Sequence, residues 1–323
     1  MIELNRERIN AYQRFPDLFM KEMLGVNPWK KQVDISRLLS EHRRVTVRSA
    51  HNLGKTFIAA CLVLWHFTCF PPPNRTITTA PTFRQVKDLL WSEINALHPR
   101  LLERVSYAGE ALQVKLKGRT SNHYAIGYST DEPDKFVGHH ALNLLVIFDE
   151  ACGISRGIFE ASEGILSAEK NRVLLIGNPT QPNVYFHHTH IKKDMGFKSV
   201  RLSAFDSPNI RLNPDTNKWE DVRDADGNLP YPSLVSLAWA KKMIRTYGEN
   251  APNVVSRVFG EFPIAASDQL IDDISVENAL YKGFQVRAIV ERLKKGGEKV
   301  SAQELRRLSL KSEKKISVLD RLN

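Results

Sequence analysis

The chain has 323 residues and a net charge of +10, from 46 basic and 36 acidic side chains. Its 42% apolar and 25% charged content is ordinary for a soluble globular protein and argues against a disordered or fibrous chain. Three cysteines, Cys61, Cys69 and Cys152, form no CxxC pair; they argue against a disulfide scaffold and fit a reducing cytosol.

The length allows one large domain or two. The N-terminal MIELNRERIN has no apolar core of a signal peptide. The basic excess suits a nucleic-acid partner. It is concentrated late: residues 274–323 hold 12 basic against 6 acidic residues, leaving residues 1–273 at only +4. A basic tail of this kind is often simply a solvated one.

Residues 1–42 read as an N-terminal helical segment that includes Asn27-Pro28-Trp29-Lys30-Lys31-Gln32. From 43 to 205 short β-rich runs alternate with helical patterns. The runs are Arg44–Val47, Arg75–Thr79, His123–Tyr128, Leu144–Phe148, Val173–Ile176 and Ser199–Leu202; helices are expected at Lys55–Phe70, Phe83–Leu97 and about Gly157–Leu166. Such alternation implies an α/β fold, a mostly parallel sheet with helices on both faces. Ligands then bind at the carboxyl ends of the strands. The stretch Phe57–Phe70 is the most apolar, but it is too short to span a bilayer, which needs roughly 20 residues.

Within that region the first strand runs into Ser49-Ala50-His51-Asn52-Leu53-Gly54-Lys55-Thr56 and then an apolar helix. Strand, loop, Gly-Lys-Thr and helix form the context of a phosphate-binding P-loop, with Ser49 where the full pattern has Gly. The loop turns backbone N–H groups inward and the helix N-terminus adds partial positive charge, which suits a polyphosphate such as ATP. Lys55 is expected to reach the β- and γ-phosphates and Thr56 to ligate Mg²⁺. Next, the apolar run Leu144–Phe148 ends in Asp149-Glu150. Two adjacent carboxylates after a buried strand suit an ATPase: Asp149 on Mg²⁺, Glu150 orienting and deprotonating the attacking water. Finally, Val173–Ile176 leads into Gly177-Asn178-Pro179-Thr180, which places Asn178 beside a γ-phosphate.

Residues 206–263 are expected to form a small lid or linker subdomain. It has a loop-like start, a hairpin turn at Asp226-Gly227-Asn228 and a helix from Ser233 to Tyr247 stopped by Gly248. The Asp-rich loop is no EF-hand, because its glycine comes too early and the bidentate Glu is missing. Residues 264–323 are expected to be a linker and a basic helical tail, with Ser301 and Glu304 as a capping box.

These pieces, in this order from about Pro28 to Pro263, resemble the ATPase part of the large terminase subunit of tailed bacteriophages. The P-loop octet is similar to that family's variant Walker A motif. Thr79-Ala80-Pro81-Thr82-Phe83-Arg84-Gln85 with Leu90-Trp91 is similar to its segment after the second strand. Phe136-Val137-Gly138-His139-His140 followed by Asp149-Glu150-Ala151 is similar to its Walker B region, Gly177–Thr180 to its coupling motif, and Arg257-Val258-Phe259-Gly260-Glu261-Phe262-Pro263 to its closing run.

The resemblance implies a P-loop NTPase of the ASCE, RecA-like class. Trp29 and Gln32 would lie on the adenine side, and Asn178 would couple γ-phosphate loss to movement of double-stranded DNA. It also implies a homo-oligomeric ring, portal protein and small terminase subunit as partners, and a place in the host cytoplasm. The chain departs from the family in two ways. Some terminases carry an arginine in the Walker A loop where this chain has His51, with Arg48 nearby. The family also continues into an RNase-H-like nuclease, and the residues beyond the linker are too few for that domain. No nuclease activity is therefore expected; Asp268, Asp272 and Asp273 read as a solvated turn.

Two other readings stay open. A superfamily 2 helicase-like ATPase would need a second RecA-like domain, for which there is no room. A degenerate prophage remnant would bind nucleotide or a partner without turnover. His187, His188 and His190 lack partners in register for a metal site, and His139-His140 reads as a packing or phosphate-side pair. The dispersed aromatics mark no base-stacking platform. DNA would thus be held by its phosphates, with Arg84, Lys87, Lys192 and Lys193 as candidates.

Overall fold

The computed structural model describes residues 2, 4–105, 107–129 and 138–264. Phe136, Val137 and everything after Ile264, including the three late aspartates and the basic tail, lie outside the described residues.

Three helices open the chain: α1 (Arg6–Arg14), α2 (Pro16–Met23) and α3 (Lys30–Glu41). Asn5 caps α1 by accepting from the Arg8 N–H, and Pro16 starts α2 where a missing N–H costs nothing. Strand β1 (Arg44–Ser49) follows, then the P-loop and α4 (Lys55–Cys69). Helix α4 is apolar nearly all round, and twelve of its fifteen residues are buried. A helix with no polar face has to sit inside the protein.

Next come β2 (Asn74–Ala80), the short α5 (Phe83–Gln85) and α6 (Trp91–Leu102). The single helix expected from Phe83 is interrupted by a π-helical turn, Val86–Leu90. The wider turn lets Val86 and Trp91, five residues apart, both press on Gly127, where an added Cβ would lie 2.5 and 2.4 Å from them. Trp91 is further held by its indole N–H donating to the Thr78 hydroxyl at 2.8 Å.

Strands β3 (Glu110–Leu112), β4 (Lys115–Lys117) and β5 (His123–Ser129) follow, then β6 (Asn143–Asp149), α7 (Arg156–Ile165), β7 (Arg172–Gly177), α8 (Tyr185–Ile191) and β8 (Lys198–Leu202). The eight strands form one sheet in the order β3-β4-β5-β2-β6-β7-β1-β8. The six strands from β5 to β8 across the sheet are parallel, while β3 and β4 add an antiparallel edge. All six expected strands are present, each extended by a residue or two. The β3–β4 pair carries no sequence signal, because its three-residue strands are too short for an alternation to read.

Alternate residues of β6 and β7 feed two different cores. Leu145, Ile147, Leu174 and Ile176 pack with α1–α4 and α6, while Leu144, Val146, Phe148, Val173 and Leu175 pack with α7 and Phe186 of α8. A strand buried on both faces reads as a continuous apolar run, as both do. The chain leaves β1 toward β2 across β6 and β7, whereas β7 passes beyond β1 to β8. The winding direction therefore reverses around β1, which opens a crevice at its carboxyl end.

The last described elements are β9 (Ile210–Leu212), β10 (Trp219–Asp221), α9 (Leu237–Tyr247) and α10 (Pro252–Arg257). Asp226-Gly227-Asn228 does form a tight turn, with the Asp224 N–H donating to Asn228 O at 3.0 Å, but no strands flank it. The hairpin lies earlier, between β9 and β10, where the Asn213 N–H donates to Lys218 O and the Asn213 side chain accepts from the next backbone N–H groups. Helix α9 starts at Leu237 rather than Ser233. Ser236 caps it, and the preceding Val235 N–H is drawn away to Asn52 O at 2.9 Å. Gly248, at φ +86°, ends it as expected. Val235, Leu237, Ala240, Ile244, Val254 and Val258 join the same core as β1 and α4. No helix of the described residues is long and apolar enough to cross a membrane.

Candidate nucleotide site

At the carboxyl end of β1 the chain turns through Ala50–Gly54 into α4. Two loop N–H groups bond to protein: Ala50 to Leu202 O at 2.8 Å and His51 to Arg257 O at 2.9 Å. Asn52 and Gly54 have positive φ, +49° and +73°. Gly54 is the N-cap of α4 and lies against Gln32, whose Nε2 would be 2.6 Å from an added Cβ. Glycine is thus needed here for conformation and for room. The first N–H groups of α4 precede its intrahelical bonds and are available to an anion.

Lys55 and Thr56 open the helix and point to different partners. The Lys55 Nζ donates to Asn178 Oδ1 at 3.2 Å and stands 3.9 Å from Glu150 Oε1. The Thr56 hydroxyl donates to Asp149 Oδ2 at 3.2 Å. Asn178 also donates from Nδ2 to Ser49 O at 2.6 Å, so it bridges the end of β1 and the lysine. The carboxyl ends of β1, β6 and β7 thereby bring together residues up to 129 positions apart.

Asp149 is buried, and burial pushes its carboxyl up to about 6, with the neighbouring Glu150 charge adding to the rise. Lys55, the Glu150 N–H and the Thr56 hydroxyl oppose that shift. A buried carboxylate raised this far, with a hydroxyl 3.2 Å away, suits a hard divalent cation such as Mg²⁺, which takes oxygen ligands. Glu150 has φ +48°, unusual for a residue with a side chain. Two contacts hold it there: its N–H donates to Asp149 Oδ1 at 3.0 Å, and its carbonyl accepts from Gly153 N at 3.0 Å. Gly177 makes room for this bend, since a Cβ there would lie 2.8 Å from Ala151 N.

Gly54, Lys55, Thr56, Glu150 and Asn178 border a cavity of about 500 Å³, lined also by Trp29, Gln32, His51, Phe57, Glu93, Tyr231 and Leu234. All the expected site residues gather in this neighbourhood, though not all line the cavity. Ser49 and Ala50 brace it from behind, and Asp149 lies beneath Thr56. Gln32 has both ends of its amide engaged: Oε1 accepts from Trp29 N at 3.2 Å and Nε2 donates to Gly54 O at 3.1 Å. It therefore ties the start of α3 to the P-loop. Sequence reasoning misses Glu93, Tyr231 and Leu234, because they belong to no local motif.

His51 is held down to about 4 by burial, with Lys55 and Arg257 adding to the effect, so it is neutral at pH 7. It cannot supply the charge of an arginine in that loop. Arg48 does not turn to the cavity either. It lies on the α8 side of β1 and pairs with Glu261 at 3.0 Å, which also pairs with Arg201 at 2.9 Å. Arg48 is thereby removed as a candidate for the γ-phosphate. His139 accepts or donates at 2.7 Å to the Tyr124 hydroxyl, a packing contact. Both ring nitrogens of His190 meet hydroxyls, Thr46 at 3.0 Å and Ser199 at 2.6 Å.

Solved structures share this arrangement of strands and helices. The ATPase domain of the large terminase of Thermus phage P74-26 superposes with a TM-score of 0.56 at 21% identity, over 77% of this chain and 99% of that one. This chain has the fold of a large-terminase ATPase domain. The large terminase of bacteriophage HK97 is similar too, with a TM-score of 0.50 at 14% identity over 77% of this chain and 55% of that one. In sequence the chain is 24% identical over 282 residues to a probable terminase large subunit of Enterobacteria phage P7. That match covers 82% of this chain and 51% of the relative, so the chain spans about half the length of the terminase it matches. No protein-family model matches the chain. In this terminase-type fold the P-loop, the Asp149-Glu150 pair and Asn178 occupy the ends of β1, β6 and β7, three strands that lie side by side.

Proposed function

We propose that this chain is the ATP-hydrolysing motor part of a phage DNA-packaging terminase. The observation that carries the reading is one cavity at which Lys55, Glu150 and Asn178 meet while Thr56 meets Asp149. The likeness to terminase ATPase domains supports the same reading.

In this reading the α4 N-terminus and Lys55 hold the phosphates of ATP, and Trp29, Gln32 and Tyr231 border the base. Thr56 and Asp149 would hold Mg²⁺, which when bound neutralises charge developing on the phosphate oxygens. Glu150 lies across the cavity from Lys55, orients a water and accepts its proton as the water attacks the γ-phosphorus. The products are ADP and phosphate. Lys55 meets both Asn178, at 3.2 Å, and Glu150, at 3.9 Å. Asn178 uses Oδ1 on Lys55 and one N–H of its amide on Ser49 O, so its second amide N–H is the donor left for a γ-phosphate oxygen, and in this reading that donor makes Asn178 the residue that senses the phosphate.

Residues 206–263 act as a lid, because Tyr231 and Leu234 close the cavity from that segment. Translocated double-stranded DNA, a homo-oligomeric ring, portal and small terminase subunits, and action in the host cytoplasm belong to the same proposal. The test is steady-state ATP hydrolysis with Mg²⁺, with and without linear duplex DNA, for the wild type, Lys55→Ala and Glu150→Gln. Turnover lost in both variants and stimulated by DNA is expected. Equal, negligible rates in all three proteins would favour a remnant that has lost turnover and would end this mechanism.

A further inference from the structure

Helix α9 carries Lys241, Lys242 and Arg245 and no acidic residue. Its other face is occupied: Leu237, Ala240 and Ile244 are buried in the core. Lys242 and Arg245 are exposed and Lys241 is half-buried. None of the three has an ion-pair partner among the described residues, whereas Arg37, Arg44, Arg48, Arg201 and Arg211 each have one. Arg245 gains from the helix dipole in the last turn, but Lys241 and Lys242 sit mid-helix. Lys241 and Arg245 are four apart, a like-charge spacing that destabilises a helix. The sequence therefore tolerates a local penalty to keep this face cationic.

The position of α9 gives the charge a use. The segment leading into it lines the nucleotide cavity with Tyr231 and Leu234. The Val235 N–H then bonds the P-loop carbonyl of Asn52 at 2.9 Å, and the Trp239 ring stands 6.3 Å from that of His51. The P-loop and the segment that opens the basic helix are thus in direct contact. Three of the other candidate cations, Arg84, Lys192 and Lys193, are placed less well. Arg84 lies 3.6 Å from Asp88, and Lys192 and Lys193 follow α8, just before the start of β8, at the end of the sheet remote from the P-loop.

We propose that the exposed face of α9 grips duplex DNA through its phosphates. The inference rests on the motor reading above and names the surface that this reading lacks. A motor that moves along any sequence needs backbone contacts, and cations on an exposed helix provide them without reading bases.

The experiment uses the full chain. Binding of a fluorescent duplex of about 30 bp is followed by anisotropy over about 50–200 mM salt. The proteins are the wild type, Lys242→Gln/Arg245→Gln, and Lys192→Gln/Lys193→Gln as a control of equal charge change. Removing one cation from a DNA phosphate lowers the salt slope by about 0.9, so the α9 variant is expected to reduce the slope by about 2. Its duplex affinity should fall at least about tenfold at the lowest salt, and the DNA stimulation of ATP turnover should fall with it. Turnover without DNA should stay at the wild-type rate, and the control should behave as wild type.

An α9 variant with wild-type affinity and slope overturns the proposal. So does a wild type that hydrolyses ATP but binds no duplex, a result that leaves the ATPase assignment standing. If instead the variant loses self-association in sedimentation while keeping its duplex affinity, the face serves a second copy of the chain and the DNA assignment is wrong. Failure of the motor reading itself looks different: Lys55→Ala would then hydrolyse ATP no more slowly than the wild type.

Discussion

Replacing Gly260 with alanine should be costly, because the residue braces the P-loop from below. Its φ is +63°, a left-handed conformation that costs an L-residue about 1–2 kcal/mol. The added Cβ would also lie 2.1 Å from Leu202 O and 3.0 Å from Ala50 N. Those two atoms form the 2.8 Å hydrogen bond that anchors the first turn of the P-loop. Both belong to buried backbone, which cannot swing aside as a long side chain would. Breaking that bond strands a buried donor and acceptor, at about 1–3 kcal/mol. Together the two effects reach about 2–5 kcal/mol, a large share of the roughly 5–15 kcal/mol that holds a typical domain. Urea unfolding followed by circular dichroism measures it, with two controls. Gly227→Ala has φ +82° but nothing within 4 Å, so it should show the conformational cost alone. Gly164→Ala, in α7 with open space and an ordinary φ, should stabilise by about 0.5–1 kcal/mol. A Gly260→Ala protein no less stable than Gly227→Ala would show that the contact with Leu202 and Ala50 carries no energy, and the reasoning would fail.

Thr56→Val keeps the shape of the residue but removes the hydroxyl that meets Asp149, so Mg²⁺-dependent turnover should drop on the order of a hundredfold; a rate within about twofold of wild type would remove Thr56 from the site. Stability should fall as the pH is lowered. His51 takes up a proton only near 4 and His190 only near 3, both because of burial, whereas an unfolded histidine does so near 6.5. Between those values the unfolded state holds more protons, so each histidine removes up to about 1.4 kcal/mol per pH unit, less where solvent screens it; below about 6 the raised Asp149 carboxyl offsets part of this, because there the folded state holds the extra proton. Urea midpoints at about pH 7 and below about pH 6 test this, and an unchanged midpoint contradicts it. Glu261→Gln leaves the mostly buried Arg48 without its counter-charge and should destabilise by about 1–2 kcal/mol; a double substitution with Arg48→Met should recover part of that loss in the same unfolding assay.

Elements whose signal is local could be read from the chain of residues. A five-residue apolar run such as Leu144–Phe148, closed by two carboxylates, suits a strand buried on both faces, and a mostly apolar helix after Gly-Lys-Thr has to be buried. The gathering of Lys55, Thr56, Asp149, Glu150 and Asn178 was legible for the same reason, since each closes a strand or opens a helix and the α/β architecture brings such ends to one edge. Whatever depends on a distant neighbour emerged only from packing. The helix from Phe83 breaks into a π turn because Val86 and Trp91 share Gly127, about forty residues away in the chain. The start of α9 is set by Val235 bonding to Asn52, and the hairpin falls at Asn213 rather than at Gly227, because a turn becomes a hairpin only where the strands on either side find each other. The expectation for Arg48 and His51 rests on proximity to the P-loop in sequence, and that for Gln32 on the family resemblance. Packing then assigned Arg48 to Glu261, spent both ends of the Gln32 amide on the P-loop and α3, and kept His51 neutral. A side chain's direction and its charge are fixed by the face of the sheet it leaves and by the burial it meets there, and neither is encoded within a few residues of it.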